Sequence, residues 1–424
     1  MVKFLFVFTT LIIFNCNCLF SQNTIIGTIK NTNNLPLPFV NIYLSKKSIV
    51  TISNTEGIFK FSFPNGSIED TLVFSYIGYK TKKILVNETL KLKELNIVLE
   101  PSTYLLNEVV VSNKVLTAAE ILKQARKKYY SNYIPSQDYN ANMYFREYVK
   151  ENDNYVRAKE AAIKTYSKAN NEHVQFKVQK CRFAASLQNS TLNKGDLGLG
   201  YIFQFSWLSN NNISYFKGKL KNTKKDTIIF YHNKLVYVLS NIRGSKGEEL
   251  KNLYLSNIGN DYAFYNSIKN STEKYGFNIY IVSVDDLKIE KIFSYFNFGD
   301  LKRIKYHSTG EFVALYNTIS SIEFIERNNK MYPYHLFYFN KSYISNILHK
   351  PILKHSYNEL INNEIITNNV EIIPEEYFSK AIDEFYFNND CKNDDPEFWK
   401  NYNYLPDDKL KQQVLESIEK QRNK

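Results

Sequence analysis

The chain has 424 residues, a formal net charge of +12, 33 tyrosines and 30 phenylalanines. Basic and aromatic together can signal nucleic-acid binding, but no run of five Lys or Arg occurs, and residues 375–424 carry 12 acids against 8 bases. No nucleic-acid partner is expected, because Lys, Asn, Ile, Tyr and Phe are raised together, as AT-rich codons supply them.

Lys3 precedes the apolar run Phe4–Phe14, which gives way to the polar CNCLFSQ. That is the layout of an export signal, and an apolar run of about 11 residues falls short of the ~20 that span a bilayer. Residues 1–21 are read as a signal peptide cleaved near Ser21–Gln22. A lipoprotein would use Cys16 or Cys18, but Asn15 and Asn17 are not the small neighbours such a signal shows. The expected location is the periplasm or the outer membrane's surface, with no integral membrane segment after cleavage. Cys181 and Cys391 then remain, either as one disulfide in an oxidising compartment or as two buried thiols.

Residues 22–101 read as a β-sandwich. Thr24–Ile29 is β-branched, Asn31–Asn34 is a turn cluster, and Val40–Leu44 alternates as a half-buried strand does. Asn54–Gly57 is turn chemistry ahead of Ile58–Phe63. Thr71–Tyr76 and Leu95–Leu99 complete the set, with Leu95, Ile97 and Leu99 on one face. Gly27, the Pro36–Ile42 segment, the Asn54–Phe59 turn and strand, and the Phe74–Tyr79 run resemble the carboxypeptidase regulatory-like domain. This is a transthyretin-like sandwich found at the N-termini of exported Bacteroidetes proteins. The resemblance implies ancestry rather than activity. None of the six histidines has Glu three positions on and no HExxH occurs, so no zinc peptidase is expected. Leu106–Ser112 resembles the junction behind this module in outer-membrane transporters. A barrel of about 22 strands, each of about 9–11 residues, is expected to need more chain than follows Ser112.

Residues 102–136 are read as linker and helix. Thr117 and Glu120 form a capping box, and Ile121, Leu122, Ala125 and Tyr129 make one apolar face. Lys123, Arg126, Lys127 and Lys128 look like a phosphate patch, but fit a solvated helix face better. Residues 137–345 read as an antiparallel β-rich domain, with strands over Met143–Tyr148, Tyr155–Tyr166, His173–Phe183, Thr227–Leu239, Gly276–Ser283, Leu287–Tyr295, Phe312–Glu326 and Met331–Phe339. Glu248–Tyr254 is read as helical. Residues 346–424 are expected to be a linker and helical tail: Asp395 caps a helix opened by Pro396, and a second helix from about Asp408 carries Leu410, Val414, Leu415 and Ile418 on one side. The fold class is therefore mostly β: sandwich, linker helix, larger antiparallel β domain and short α-helical tail. Tyr144–Glu147, Lys159–Ala161, Gly276 ahead of Ile279–Ile281, Lys330–Pro333, Phe398–Trp399 and Tyr402–Asn403 resemble a family of exported Bacteroidetes proteins that pair this module with a β-rich domain. That resemblance implies architecture and no activity.

Candidate chemistry rests on Arg146, Glu147 and Glu160. Two carboxylates with an arginine can act as acid and base, but neighbours in a strand face opposite ways, so Arg146 and Glu147 cannot line one cleft. An Arg–Glu tie between strands is the favoured reading. His335 is read as a strand histidine rather than a ligand. Gly195–Gly200 lacks the context of a phosphate loop, and Asp390–Asp395 lacks the glycine of a calcium loop. No catalytic residue, cofactor or metal site is expected. Tyr231 with Tyr237, Phe293 with Tyr295, and Tyr332 with Tyr334 and Tyr338 fall an even number of positions apart, so each set is expected on one face. They line either an apolar groove, since the domain loosely resembles periplasmic lipid-carrier folds, or the core of the sheet. The expected function is an exported non-enzymatic envelope protein, a binding or assembly module whose partner is an envelope protein, glycan or lipid. The alternative is a carboxylate-dependent hydrolase in the second domain. It requires Arg146 and Glu160 to open into a cleft with a third carboxylate.

Overall fold

The computed structural model describes residues 22–102, 137–169, 174–186, 227–231, 234–240, 274–283, 286–306, 311–327, 329–345, 352–374 and 395–423, with parts of 120–128 and 249–265. The signal segment, Thr117, the Leu106–Ser112 junction, Gly195–Gly200 and Cys391 lie outside the described residues.

The N-terminal module is a sandwich of two sheets. One has the order β4 (Ile58–Pro64), β1 (Gln22–Asn31), β7 (Leu95–Leu99), with β1 and β7 parallel. The other has the order β3 (Val50–Ile52), β2 (Asn41–Leu44), β5 (Thr71–Ser75), β6 (Lys82–Leu85). Alternation decides the inner faces. Phe59, Phe61 and Phe63 of β4, Leu95, Ile97 and Leu99 of β7, and Ile42 and Leu44 of β2 all point into one core. The β3 and β6 strands and the one-turn helix α1 (Val86–Thr89) are additions to the sequence reading. They are too short to show a period.

Gly27 of β1 stands between Phe59 of β4 and Leu95 of β7. A Cβ there would run into the carbonyl oxygen of Leu95 and sit 2.8 Å from the ring of Phe59. The Gly27→Ala variant is therefore expected to lose about 2–3 kcal/mol, as overpacking against backbone does. Urea unfolding of the whole chain checks this, and an unchanged midpoint would rule out the close packing described.

Among the described residues the second domain is one antiparallel sheet of ten strands. In spatial order it runs β10 (Val174–Ala185), β9 (Asn154–Ser167), β8 (Tyr139–Glu151), β17 (Ile352–Ile366), β16 (Lys330–Ser345), β15 (Glu311–Arg327), β14 (Ile289–Tyr306), β13 (Lys274–Ser283), β12 (Lys234–Ser240) and β11 (Thr227–Tyr231). The expected single strand over Thr227–Leu239 is thus a hairpin. Glu249, Leu250, Asn252, Leu253 and Tyr254 are helical as read, and so are Glu120, Ile121 and Lys123–Ala125. Lys123 and Lys127 are exposed.

The sheet does not end at residue 345. Strand β17 lies at its centre, between β8 and β16. It escaped the sequence reading because Ser356, Asn358, Glu359 and Asn362 are buried polar residues, so no apolar alternation marks it. Beyond it come α2 (Pro396–Asn401) and α3 (Lys409–Arg422), capped by Asp395 and Asp408, whose carboxylates accept from the Phe398 and Lys411 amides. Leu410, Val414 and Ile418 of α3 are buried, whereas Leu415 is partly exposed and outside that face. No described helix is long and apolar enough to cross a membrane.

One face of the sheet carries an aromatic and aliphatic core. The rung Tyr148, Tyr357, Phe339, Ile319, Tyr295, Phe277 crosses six strands, and Tyr254, Phe264 and α3 cover it. Phe293 and Tyr295 share this face as expected and are fully buried core. Tyr332 and Tyr338 lie in the cluster on the opposite face, with Tyr139 and Leu336, but Tyr334 does not join them. A bulge opposite Glu323 and Phe324 puts Tyr334 and His335 on the same side. That extra residue breaks the parity on which the sequence expectation rested. The side chains of Tyr231 and Tyr237 are outside the described ones.

Candidate functional site

Three parts of the chain meet over a row of buried charges. The module supplies Phe39, Val50 and Ile52, the sheet supplies Tyr144, Ala162, Ile325, Tyr334 and Ile361, and the tail supplies Trp399 and Leu405. The tail lies between the other two as a strap. Lys60 of β4 donates to the carbonyls of Trp399 (3.0 Å) and Lys400 (2.7 Å). The Ser62 amide donates to Asn403 Oδ1 at 2.7 Å, and Asn403 Nδ2 donates back to Ser62 O at 3.0 Å. Thr55 Oγ1 donates to Asp408 at 2.8 Å. The module also meets the sheet directly, where the Ile365 amide donates to Ser48 O at 3.1 Å.

Beneath the strap, Arg146 and Glu160 are cross-strand neighbours on one face, and Glu359 is the neighbour of Arg146 on its other side. Arg146 is fully buried; its Nη2 donates to Glu359 at 2.7 Å and its Nη1 lies 3.7 Å from Asp408. The guanidinium also lies over the rings of Tyr148 and Tyr357, 5.4 and 5.7 Å from their centroids. Glu160 accepts from Lys411 of α3 at 2.9 and 3.1 Å and from the Tyr144 hydroxyl. Glu147 points to the other face, where Arg157 pairs with it at 3.0 Å. Alternation alone thus separates Glu147 from the other two, as the sequence implies.

The network continues two residues along the strands. His335 sits between two carboxylates, with Nε2 2.9 Å from Glu359 and Nδ1 3.5 Å from Glu323. Glu323 also accepts from Lys291 at 3.0 Å and from the Tyr334 hydroxyl. Lys291 reaches Asp261 at 2.9 Å, and Tyr254 donates to Asp261 at 2.9 Å. The module covers His335 with Phe39, stacked at 5.6 Å and 24°. Phe39 has φ of 59°, an unusual backbone for a bulky side chain, with a strain cost of order 1–3 kcal/mol.

These contacts set the charges. Burial pulls His335 down, but its bonds to Glu323 and Glu359 outweigh that and hold it up at about 9. Burial pushes Glu359 up, yet Arg146 and His335 bring it down to about 2. Glu323 falls to about 2 in the same way, against burial, through Lys291 and His335. Desolvation raises the Tyr144 and Tyr357 hydroxyls well above their usual range, so both stay protonated donors. The site is a compensated ion network in which Glu323 and Glu359 are held ionised by named partners.

Sequence reasoning singled out two members, Arg146 and Glu160, and weighed His335 as a strand residue. Glu359, Glu323, Lys291, Asp261, Asp408 and Lys411 were missed. Asp408 and Lys411 sit at a helix start, where capping accounts for them, and Glu359 sits in the strand that carried no apolar signal. Arg146 and Glu160 do not open into a cleft. A cavity of about 240 Å³ lies between module and sheet at the Glu323 end of the network, lined by Tyr43, Tyr76, Glu290, Glu323, Glu326 and Tyr334 among others. Among the described residues no group of three His, Cys, Asp or Glu side chains is placed to hold a metal ion. Cys181 is disulfide-bonded, and its partner lies outside the described residues.

Fold and site together define a two-part β protein, a small sandwich strapped by the chain's tail onto a large antiparallel sheet. Residues 25–111 match the CarboxypepD_reg-like domain, and the N-terminal module belongs to that domain family. The chain is similar to TonB-dependent receptor P39 of Formosa agariphila, 30% identical over 98 residues, which cover 23% of this chain and 9% of the receptor. It therefore spans only a small part of that relative's length. Among solved structures, one titled for lipid–protein interactions in lipovitellin aligns with 57% of this chain and 26% of its own, at 10% identity and a TM-score of 0.23. That score is too low to carry an argument.

Proposed function

We propose that the protein is an exported, envelope-associated module without catalytic activity, which binds or assembles with another component of the envelope. The observation that carries this reading is the closure of the ion network. Arg146 and Glu359 are fully buried and Glu160 nearly so, each already engaged by a partner from another strand or from the tail. Groups so placed hold surfaces together rather than reach a substrate. The envelope location rests on the signal-like N-terminal sequence, and the similarity of 98 residues of the chain to a TonB-dependent receptor supports it.

The test has two arms. Expressed with its first 21 residues in a diderm host, the chain is expected in the envelope fraction with an N-terminus near Gln22. The purified protein is expected to turn over no peptide, ester, glycoside or phosphoester. A cytosolic protein retaining Met1 defeats the location. Turnover abolished by Glu323→Gln or Glu290→Gln, both at the cavity between module and sheet, defeats the non-catalytic reading and installs the hydrolase in its place.

A further inference from the structure

Two-faced strands frame the cavity between module and sheet. Ile42 and Leu44 of β2 point into the module's core, so Asn41 and Tyr43 point the other way and line the cavity. Ser75 of β5, the cross-strand partner of Asn41, lines it with them. The sheet supplies a floor and a rim. Glu323 and Tyr334 form the floor, and both are buried. At the rim Lys288 bridges Asp286 at 2.8 Å and Glu326 at 2.6 Å, and these two carboxylates are 40% and 42% exposed. Ile77, Phe324 and Met331 give the lining an apolar part. At about 240 Å³ the cavity falls just below the range of about 300–1,000 Å³ that holds drug-sized ligands. That leaves room for one small ring.

We infer that this cavity binds a single neutral sugar ring. Three features select that chemistry. First, the charged groups around the cavity already have partners. Lys288 serves both rim carboxylates, while Glu323 accepts from Lys291 and Tyr334 and faces His335. Glu290 is engaged by a neighbour as well. A charged ligand would upset this arrangement. Hydroxyl groups instead use the lone pairs that a paired carboxylate keeps, since each carboxylate has about four acceptor sites. Second, one acceptor is unmatched. The Asn41 side chain bonds to the Tyr334 hydroxyl, but its Oδ1 is buried with no hydrogen-bond partner. A ligand hydroxyl would satisfy it. Third, the acceptors alternate with Tyr43, Phe324 and Met331 around the lining. A sugar ring matches such a lining, with apolar C–H faces and a polar edge, the polar groups fixing its orientation. This inference rests on the binding reading proposed above and names the class of ligand.

The experiment is saturation-transfer NMR and calorimetric titration of the full chain with the methyl glycosides of glucose, galactose, mannose, xylose and N-acetylglucosamine. L-arginine and sodium glucuronate serve as charged controls. At least one glycoside is expected to bind with a Kd of about 1–10 mM, as a ligand of one ring allows, and neither control is expected to bind. Ser75→Phe, which places a ring in the cavity from the module side, is expected to abolish binding. Asn41→Ala is expected to weaken it at least about tenfold. Glu326→Gln, at the exposed rim, is expected to weaken it less, and these two variants carry the test if Ser75→Phe does not fold. Binding of the matching disaccharide as well supports the site and identifies the ring as a glycan end, and binding of the monosaccharide alone identifies a free sugar. A glycoside that binds and is hydrolysed keeps the site and defeats the non-catalytic reading. The inference is overturned by no glycoside binding, by binding undiminished in Asn41→Ala and Ser75→Phe, or by arginine binding that Ser75→Phe removes. In each of those cases the envelope fractionation and turnover assays above still decide the broader reading.

Discussion

Replacing Arg146 by methionine is expected to cost about 3–5 kcal/mol of unfolding free energy, the range for removing one partner of a buried ion pair. Methionine keeps much of the apolar stem and loses the guanidinium that lies over the Tyr148 and Tyr357 rings, so the loss is mainly electrostatic. It leaves Glu359 with no guanidinium at 2.7 Å and Asp408 with none at 3.7 Å, both at zero exposure. A Lys in the same place is expected to fare little better, since a single ammonium cannot reproduce the planar fork. The double variant Arg146→Met, Glu359→Gln is expected to be less unstable than the sum of the singles, because it removes the stranded carboxylate along with its partner. Coupling energies of about 0.5–3 kcal/mol are usual for such contacts. Denaturant titration of the four proteins measures the cycle. A loss below about 1 kcal/mol in Arg146→Met would mean that the network contributes nothing to holding tail and sheet together.

The pH dependence of stability is the second large effect. His335 has its pKa raised to about 9 in the folded protein, from an ordinary value of 6.5. A raised value means that the folded state binds the proton more tightly. Its contribution is complete below pH 6.5 and is lost as the pH rises toward 9. Glu323 and Glu359 are both lowered to about 2 from 4.5. Their contribution is complete above pH 4.5 and is lost as the pH falls toward 2. These three groups alone give a plateau between about pH 4.5 and 6.5. His355, lowered to about 4 from 6.5 by burial, adds a rise with pH across that window. Stability is therefore expected to be greatest near pH 6.5, with a decline on each side. On the alkaline side the His335 shift corresponds to about 3 kcal/mol at 1.36 kcal/mol per pKa unit. A His335→Gln variant is expected to be less stable at pH 6 and to lose the decline between pH 6.5 and 8, below the range where Lys60, lowered to about 8, adds a rise of its own. Urea unfolding at a series of pH values reads both slopes. A wild-type profile that is flat over that alkaline range would show that His335 is neutral in the folded protein.

Much of the N-terminal module was legible in the residues. Phe59, Phe61 and Phe63, and Leu95, Ile97 and Leu99, alternate without interruption, so local pattern and tertiary burial agree. The same parity rule separated Arg146 from Glu147 before any contact was known. It failed at Tyr334, where one extra residue in the bulge moves a side chain to the other face. Helix starts at Asp395 and Asp408 were readable because capping is a contact over three residues.

The interior of the second domain was not readable in this way, and β17 shows why. Glu359 shares one buried face with Tyr357 and Ile361, while Ser356, Asn358 and Asn362 alternate onto the other, and the partners of Glu359 come from β8 and from β16. A period along the sequence registers apolar burial, which each residue achieves by itself. Burial of a charge depends on a second residue far away in the chain, as Arg146 needs Glu359 and Glu160 needs Lys411. Local alternation and capping thus accounted for the strands and helix ends that can be made from neighbouring residues. The central strand, the strap and the ion network came only from the folded arrangement, because they depend on pairs such as Arg146–Glu359 and Glu160–Lys411 that the sequence keeps more than two hundred residues apart.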